Sequence, residues 1–220
     1  MKINSYIDHT ALKPTTTERD IINLCNEAKQ NQFYSVCISS CYVPLAKQLV
    51  SKSSVKVCAT VGFPLGSAST QAKVAEAKQA VNDGADEIDM VINIGYLKSK
   101  NHVAVFKDIS DVKSAIGKIP LKVILEISEL SKNEIIKACE ICMDANVDFI
   151  KTSTGFSKGG ATLTAVKIIR KTVRNSAKIK ASGGIQDFET AVKYIDAGAN
   201  RIGTSSGIAI LSGELSTQDY

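Results

Sequence analysis

Short runs of β-branched and other apolar residues alternate along the chain with longer stretches in which apolar positions recur every three or four residues. Eight runs can be counted, at 5–9 (the weakest), 35–38, 55–61, 87–92, 121–127, 148–152, 178–181 and 201–204. The stretches between them carry helix start signals. Ser131 and Glu134 form a capping box ahead of Ile135, Ile136 and Cys139, and Asp187 caps a helix that stops at Gly198. One phrase recurs where helix gives way to strand: Asp83-Gly84-Ala85-Asp86, Asp144-Ala145-Asn146-Val147-Asp148 and Asp196-Ala197-Gly198-Ala199-Asn200. It reads as a single αβ turn used three times, with Gly or Asn as the left-handed helix stop. Such alternation builds a parallel sheet through right-handed crossovers, and eight units predict an α/β fold, a single (β/α)8 TIM barrel. An open doubly wound sheet is the alternative that the count alone leaves standing.

Either fold places its ligand site at the carboxyl ends of the strands, so charges inside strands carry the information. Parallel strands are covered on both faces, and an unpaired charge inside one costs several kcal/mol. Asp89 interrupts Ile88-Asp89-Met90-Val91-Ile92, Lys151 ends Phe149-Ile150-Lys151, and Lys180 sits in Lys178-Ile179-Lys180-Ala181. The two-residue alternation of strands turns all three away from their apolar neighbours, toward the barrel interior. Lys151 and Lys180 lie on consecutive strands about 4.8 Å apart, so two amines share one pocket. That arrangement suits a nucleophilic amine. A lysine of ordinary pKa, about 10.4, is protonated and cannot attack a carbonyl; a second ammonium near 5 Å supplies roughly 3 kcal/mol toward releasing its proton, and desolvation supplies more. Asp89 is the carboxylate placed to move protons, directly or through water. Gly183-Gly184 follows the seventh run and Gly203-Thr204-Ser205-Ser206-Gly207 the eighth, where barrels bind phosphate through backbone amides and a short helix N-terminus.

Composition narrows the classes without changing this picture. The 220 residues, 44% of them hydrophobic, show no composition break and suit one domain over 1–220. No apolar run nears the roughly 20 residues of a membrane span, and residues 1–10 lack a signal-peptide core. The net charge of +5 is spread along the chain with little aromatic interleaving, a solvated surface that suits steering of phosphorylated substrates better than binding of nucleic acid. Six cysteines at irregular positions, mostly in apolar segments, fit a reducing cytoplasm. Cys139 and Cys142 form a CxxC without a second pair, and His9 and His102 are not at ligand spacing, so no metal is expected. Neither GxGxxG nor a Walker A sequence is present, which argues against a dinucleotide or nucleoside triphosphate. The helix faces leave room for a homo-oligomer without specifying one.

At these residues the chain resembles the deoxyribose-phosphate aldolases, class I aldolases of the (β/α)8 fold. The likeness spans nearly the whole chain and rests on Ile7-Asp8-His9-Thr10, Glu87-Ile88-Asp89-Met90-Val91-Ile92-Asn93, Phe149-Ile150-Lys151-Thr152-Ser153-Thr154-Gly155-Phe156, Lys180-Ala181-Ser182-Gly183-Gly184-Ile185 and Gly203-Thr204-Ser205-Ser206. The resemblance implies reversible cleavage of 2-deoxy-D-ribose 5-phosphate to D-glyceraldehyde 3-phosphate and acetaldehyde in deoxyribonucleoside catabolism, with no metal or organic cofactor. It implies Lys151 as the Schiff-base lysine, Lys180 as the second active-site lysine, Asp89 as the proton-relay carboxylate, and Gly155, Gly183, Gly184, Ser205 and Ser206 around the phosphate. Cys37, after the second run, is a candidate pocket-lining thiol, although a buried structural cysteine is the plainer reading. Tyr220 ends the chain, as in some relatives, and is a candidate to fold over the site. Two rivals remain: another phosphosugar barrel enzyme, and a non-catalytic phosphate-binding barrel.

Overall fold

Eight parallel strands close on themselves in sequence order in the computed structural model, which describes residues 2–213. They are β1 (Ile7–Ala11), β2 (Ser35–Ser39), β3 (Lys56–Val61), β4 (Glu87–Val91), β5 (Leu121–Ile124), β6 (Phe149–Lys151), β7 (Lys178–Ser182) and β8 (Arg201–Thr204). Closure is direct, because Ile7, Asp8 and His9 of β1 pair with Ile202, Gly203 and Thr204 of β8. The helices wrap the outside: α1 (Glu18–Gln30), α2 (Val43–Val50), α3 (Thr70–Asn82), α4 (Ile94–Lys98), α5 (His102–Ile116), α6 (Lys132–Asp144), α7 (Leu163–Val173), α8 (Phe188–Asp196) and α9 (Gly207–Ser212). The barrel is the (β/α)8 fold expected from the alternation. None of the helices in the described residues is long and apolar enough to cross a membrane.

Local chemistry explains the boundaries. Ser131 and Glu134 cap α6 reciprocally, as do Thr17 and Asp20 on α1, and the Asp187 side chain accepts from Thr190 N to start α8. Strand ends coincide with the sequence reading or differ from it by one to three residues, the most at β5, which stops at Ile124. The strand β1 begins two residues late, at Ile7, because Ser5 is held in a 3-10 turn, its N–H and hydroxyl both bonded to the Lys2 carbonyl. The recurring phrase is one turn in space as well. Gly84, Asn146 and Gly198 all adopt positive φ, and the Asx residue two places later bonds both peptide groups of one residue on the preceding strand. Asp86 takes Val57, Asp148 takes Leu121 and Asn200 takes Ile179, through their own N–H and a side-chain oxygen.

The apolar core lies between the wall of the barrel and the helices. Ile88 and Met90 of β4, Ile150 of β6 and Ile179 and Ala181 of β7 are fully buried there against residues such as Ile109, Val112, Ala138 and Val166. Each such side chain contributes about 1.5–3 kcal/mol. Alternation then sends the intervening residues inward, where a ring of charged groups takes the place of the usual aliphatic layers.

Candidate active site

Lys151 and Lys180 are direct register partners on β6 and β7, and Asp89 faces both from β4. Lys151 Nζ lies 2.8 Å from Asp89 Oδ2, and Lys180 Nζ lies 2.9 Å from the same oxygen. The three residues singled out by the strand rule thus meet at one atom.

Four more charges complete the cluster. Lys122 of β5 donates to Asp89 Oδ1 at 2.9 Å and pairs with Glu87 Oε2 at 2.7 Å. Lys180 pairs with Asp8 Oδ2 at 2.7 Å. Arg201 closes the circuit beneath, with one guanidinium nitrogen 2.7 Å from Asp8 Oδ1 and the other 3.1 Å from Glu87 Oε1, its plane stacked on the Tyr34 ring. Below the lysines, Phe149 lies within cation–π range of both Lys122 and Arg201. Asp8 and Lys122 stand inside strands and Glu87 and Arg201 open theirs, yet the sequence reading did not single them out. For Lys122, in Leu121-Lys122-Val123-Ile124, the signal was as strong.

Burial would raise the Asp89 carboxyl, but Lys122, Lys151 and Lys180 together hold it well below the ordinary carboxylate range. Asp8 goes the same way: Lys180 and Arg201 overcome its burial. Burial would lower Lys180, yet Asp8 and Asp89 push it well above a normal lysine; Asp89, Cys58 and Glu87 do the same for Lys122. The expectation of a bare second ammonium beside Lys151 therefore needs correcting. Lys180 shares its charge with two carboxylates, and the electrostatics belong to the whole cluster.

Two thiols line the same interior. Cys58 Sγ donates to Asp89 Oδ1 at 3.0 Å, and Cys37, its register partner, reaches Asp89 Oδ2 at 3.8 Å. The neighbouring Cys58, with Lys180, draws the Cys37 thiol down to about 7 against its burial. Cys37 is thus both fully buried and part of the charged cluster, which joins the two readings that the sequence left open. Cys37, Cys58 and Asp89 bring three ligand-type atoms within 4.8 Å of one another, but the Asp89 oxygens are already engaged by three ammonium groups. Cys139 and Cys142 lie in the packed face of α6, and His9 is bonded to Glu27 at 2.7 Å.

Only Lys151 ends its strand, at the carboxyl-terminal mouth, and its side chain keeps 3% exposure where Lys122, Lys180 and Asp89 have none. The predicted phosphate residues surround that mouth. Gly155 follows β6 at φ 87°, Gly183 and Gly184 follow β7 at φ 92° and 74°, and Ser205 and Ser206 follow β8. The Ser206 hydroxyl is buried without a partner. A cavity of about 330 Å³ beside Ser205, lined by Thr10, Lys13, Thr16 and Asn23, opens on the same end. Tyr220 lies outside the described residues.

A closed (β/α)8 wall with an ion-paired lysine cluster opening at the carboxyl ends of its strands defines a barrel enzyme. Within that class the chain belongs to the DeoC/LacD family of aldolases, whose family model matches residues 3–213. It is 52% identical to the deoxyribose-phosphate aldolase of Mannheimia succiniciproducens over 96% of this chain and 95% of that one. Identity is 46% to the enzyme of the same name from Mycoplasma capricolum, over 100% of this chain and 99% of that one. Among solved structures it superposes on the aldolase QR15 (TM-score 0.92, 44% identity, 96% and 94% of the two chains) and on the deoxyribose phosphate aldolase of Aeropyrum pernix, described as tetrameric (TM-score 0.87, 33% identity, 96% and 89%).

Proposed function

We propose that this aldolase cleaves 2-deoxy-D-ribose 5-phosphate reversibly to D-glyceraldehyde 3-phosphate and acetaldehyde, with Lys151 as the nucleophile. The reading is supported by the relatives' activity and, above all, by one feature of the cluster. Four cations (Lys122, Lys151, Lys180 and Arg201) face three carboxylates (Asp8, Glu87 and Asp89) in a dry interior. An uncompensated charge there is costly, so the cluster is held together by its pairing. Lys151 is the lysine with a single carboxylate partner and with access to the mouth.

The chemistry follows. Neutral Lys151 adds to the C1 aldehyde of the open-chain sugar and expels water to give an iminium. Because acetaldehyde keeps only C1 and C2 of the sugar, the bond that breaks is C2–C3. Asp89, kept ionised by its lysines, takes the C3 hydroxyl proton through water; the C2–C3 electrons move into the iminium, leaving an enamine on Lys151 and a C3 aldehyde on the departing glyceraldehyde phosphate. Protonation of the enamine at C2 and hydrolysis release acetaldehyde and regenerate the amine. Lys180 holds Asp89 in place and supplies positive charge beside the transferring proton. Backbone amides of Gly155, Gly183 and Gly184 and the hydroxyls of Ser205 and Ser206 receive the phosphate, which explains the orphaned Ser206 hydroxyl.

The test is borohydride reduction of the protein with deoxyribose 5-phosphate, followed by peptide mass mapping. An adduct on Lys151 that disappears in Lys151→Ala establishes the Schiff base; an unmodified Lys151 rejects it and returns the rival phosphosugar barrels to the front.

A further inference from the structure

Glu126 is a buried carboxylate that the reaction above does not use. It stands just beyond β5, 3% exposed, with its backbone in the left-handed region at φ 56° and ψ 65°. Glutamate rarely adopts that conformation, which persists only where the surroundings impose it. The cause is a bulge. Leu125 N bonds Lys151 O and Ile127 N bonds Thr152 O, so two residues advance on the β5 side for one beyond β6, and the extra residue turns its side chain onto the neighbouring loop.

There Glu126 Oε2 accepts twice from Thr154, from its N–H at 3.2 Å and from its hydroxyl. The Thr154 oxygen in turn accepts from Phe156 N at 3.0 Å, so the two bonds span Gly155 on both sides and fix its left-handed turn. Further out, Glu129 repeats the hold through Ser157 and Lys158. The far end of the same loop is fitted to the neighbouring glycines: Ala161 N bonds Gly183 O at 3.0 Å, and a Cβ on Gly160 would meet that oxygen at 2.2 Å. Glu126 therefore anchors one side of the loop whose other side meets Gly183. Burial pushes its carboxyl above the ordinary glutamate value, against the pull of the Thr154 bonds. Its other oxygen, Oε1, is buried without a partner, and every hydrogen bond the carboxylate makes goes to Thr154, which assigns it a role through that residue.

We propose that Glu126 is a positioning residue that sets the preference for phosphorylated over unphosphorylated substrates, by holding Thr154 and thereby the Gly155 turn in the shape that receives the phosphate. The proposal rests on the phosphate placement given above. The test compares kcat and KM for 2-deoxyribose 5-phosphate and for 2-deoxyribose in the parent protein, Glu126→Gln and Glu126→Ala, with borohydride trapping of acetaldehyde on Lys151 as the control for an intact amine. The expected result is a rise in KM confined to the phosphorylated sugar. The ratio of the two kcat/KM values falls about tenfold or more in Glu126→Ala, the equivalent of one charge-assisted hydrogen bond, and less in Glu126→Gln, whose carbonyl still accepts from Thr154 N. Thr154→Val removes the hydroxyl alone and carries the same expectation should both Glu126 variants fail to fold. An unchanged ratio in variants that trap acetaldehyde normally, or an equal loss on both sugars, overturns the proposal while leaving the phosphate placement intact. A parent protein indifferent to the phosphate overturns both.

Discussion

Two ion systems in this molecule are buried and differ in how their charges are matched. Outside the barrel wall, Lys73 of α3 and Asp108 of α5 meet at 2.6 Å, both essentially without exposure. The pair is closed: Lys73 also donates to the Val91 carbonyl at 2.9 Å, Asp108 accepts from Thr70 at 3.0 Å, and one cation faces one anion. Inside the wall, one carboxylate serves three ammonium groups and the cations outnumber the anions. Burial of charge is thus no mark of chemistry by itself. The mark is an unbalanced set with one member at an opening, since only there can a proton leave without stranding its partner.

The comparison breaks most visibly at Asp89. Asp89→Asn leaves three lysines around a neutral amide, and the expected loss is about 100-fold to 10,000-fold in kcat together with about 3–5 kcal/mol of stability, read from steady-state kinetics and urea unfolding. Asp108→Ala strands Lys73 in the same way and carries a similar stability loss, but kcat of the folded protein stays at the parent value; a matching fall in kcat would mean that the outer pair also shapes the site. The smallest effect lies in pH. Asp8 and Asp89 are depressed, so their contribution is complete above about pH 4, the ordinary carboxylate value, and is lost as pH falls through their folded values. Lys122 and Lys180 are raised, so theirs is complete below about pH 10.4 and is lost above it. Lys73 is lowered by burial, and its contribution improves as pH rises toward the ordinary lysine value. Urea midpoints measured against pH should therefore show a shallower acid decline in Asp89→Asn than in the parent protein.

Much of this was legible in the sequence because a parallel barrel makes apolar strands the rule and charges the exception. Asp89, Lys151 and Lys180 break otherwise apolar segments, and their inward facing follows from alternation, while the register that pairs Lys151 with Lys180 is seen in the sheet. Glu87 and Arg201 were harder to read because each opens its strand, where a charge normally belongs to the turn before it. Lys73 and Asp108 were invisible, since a polar residue on a helix reads as surface until a second helix covers it. Glu126 lay beyond reach for a different reason: its left-handed backbone is imposed by the pairing of β5 with β6, and no local residue asks for it.

The repeated Asx turn divides the wall in a way that strand order does not. Asp86 fastens β4 to β3, Asp148 fastens β6 to β5 and Asn200 fastens β8 to β7, each across two hydrogen bonds at the end of the barrel opposite the mouth. The seams between β4 and β5 and between β6 and β7 carry no such rivet. A chain opened in the turn between α4 and α5, near Ser99 and Lys100, leaves every riveted pair whole. Six of the eight strands thus form two-strand panels, with β1 and β2 beside them, and two separately made halves, 1–99 and 100–220, are the pieces from which a split version would reassemble.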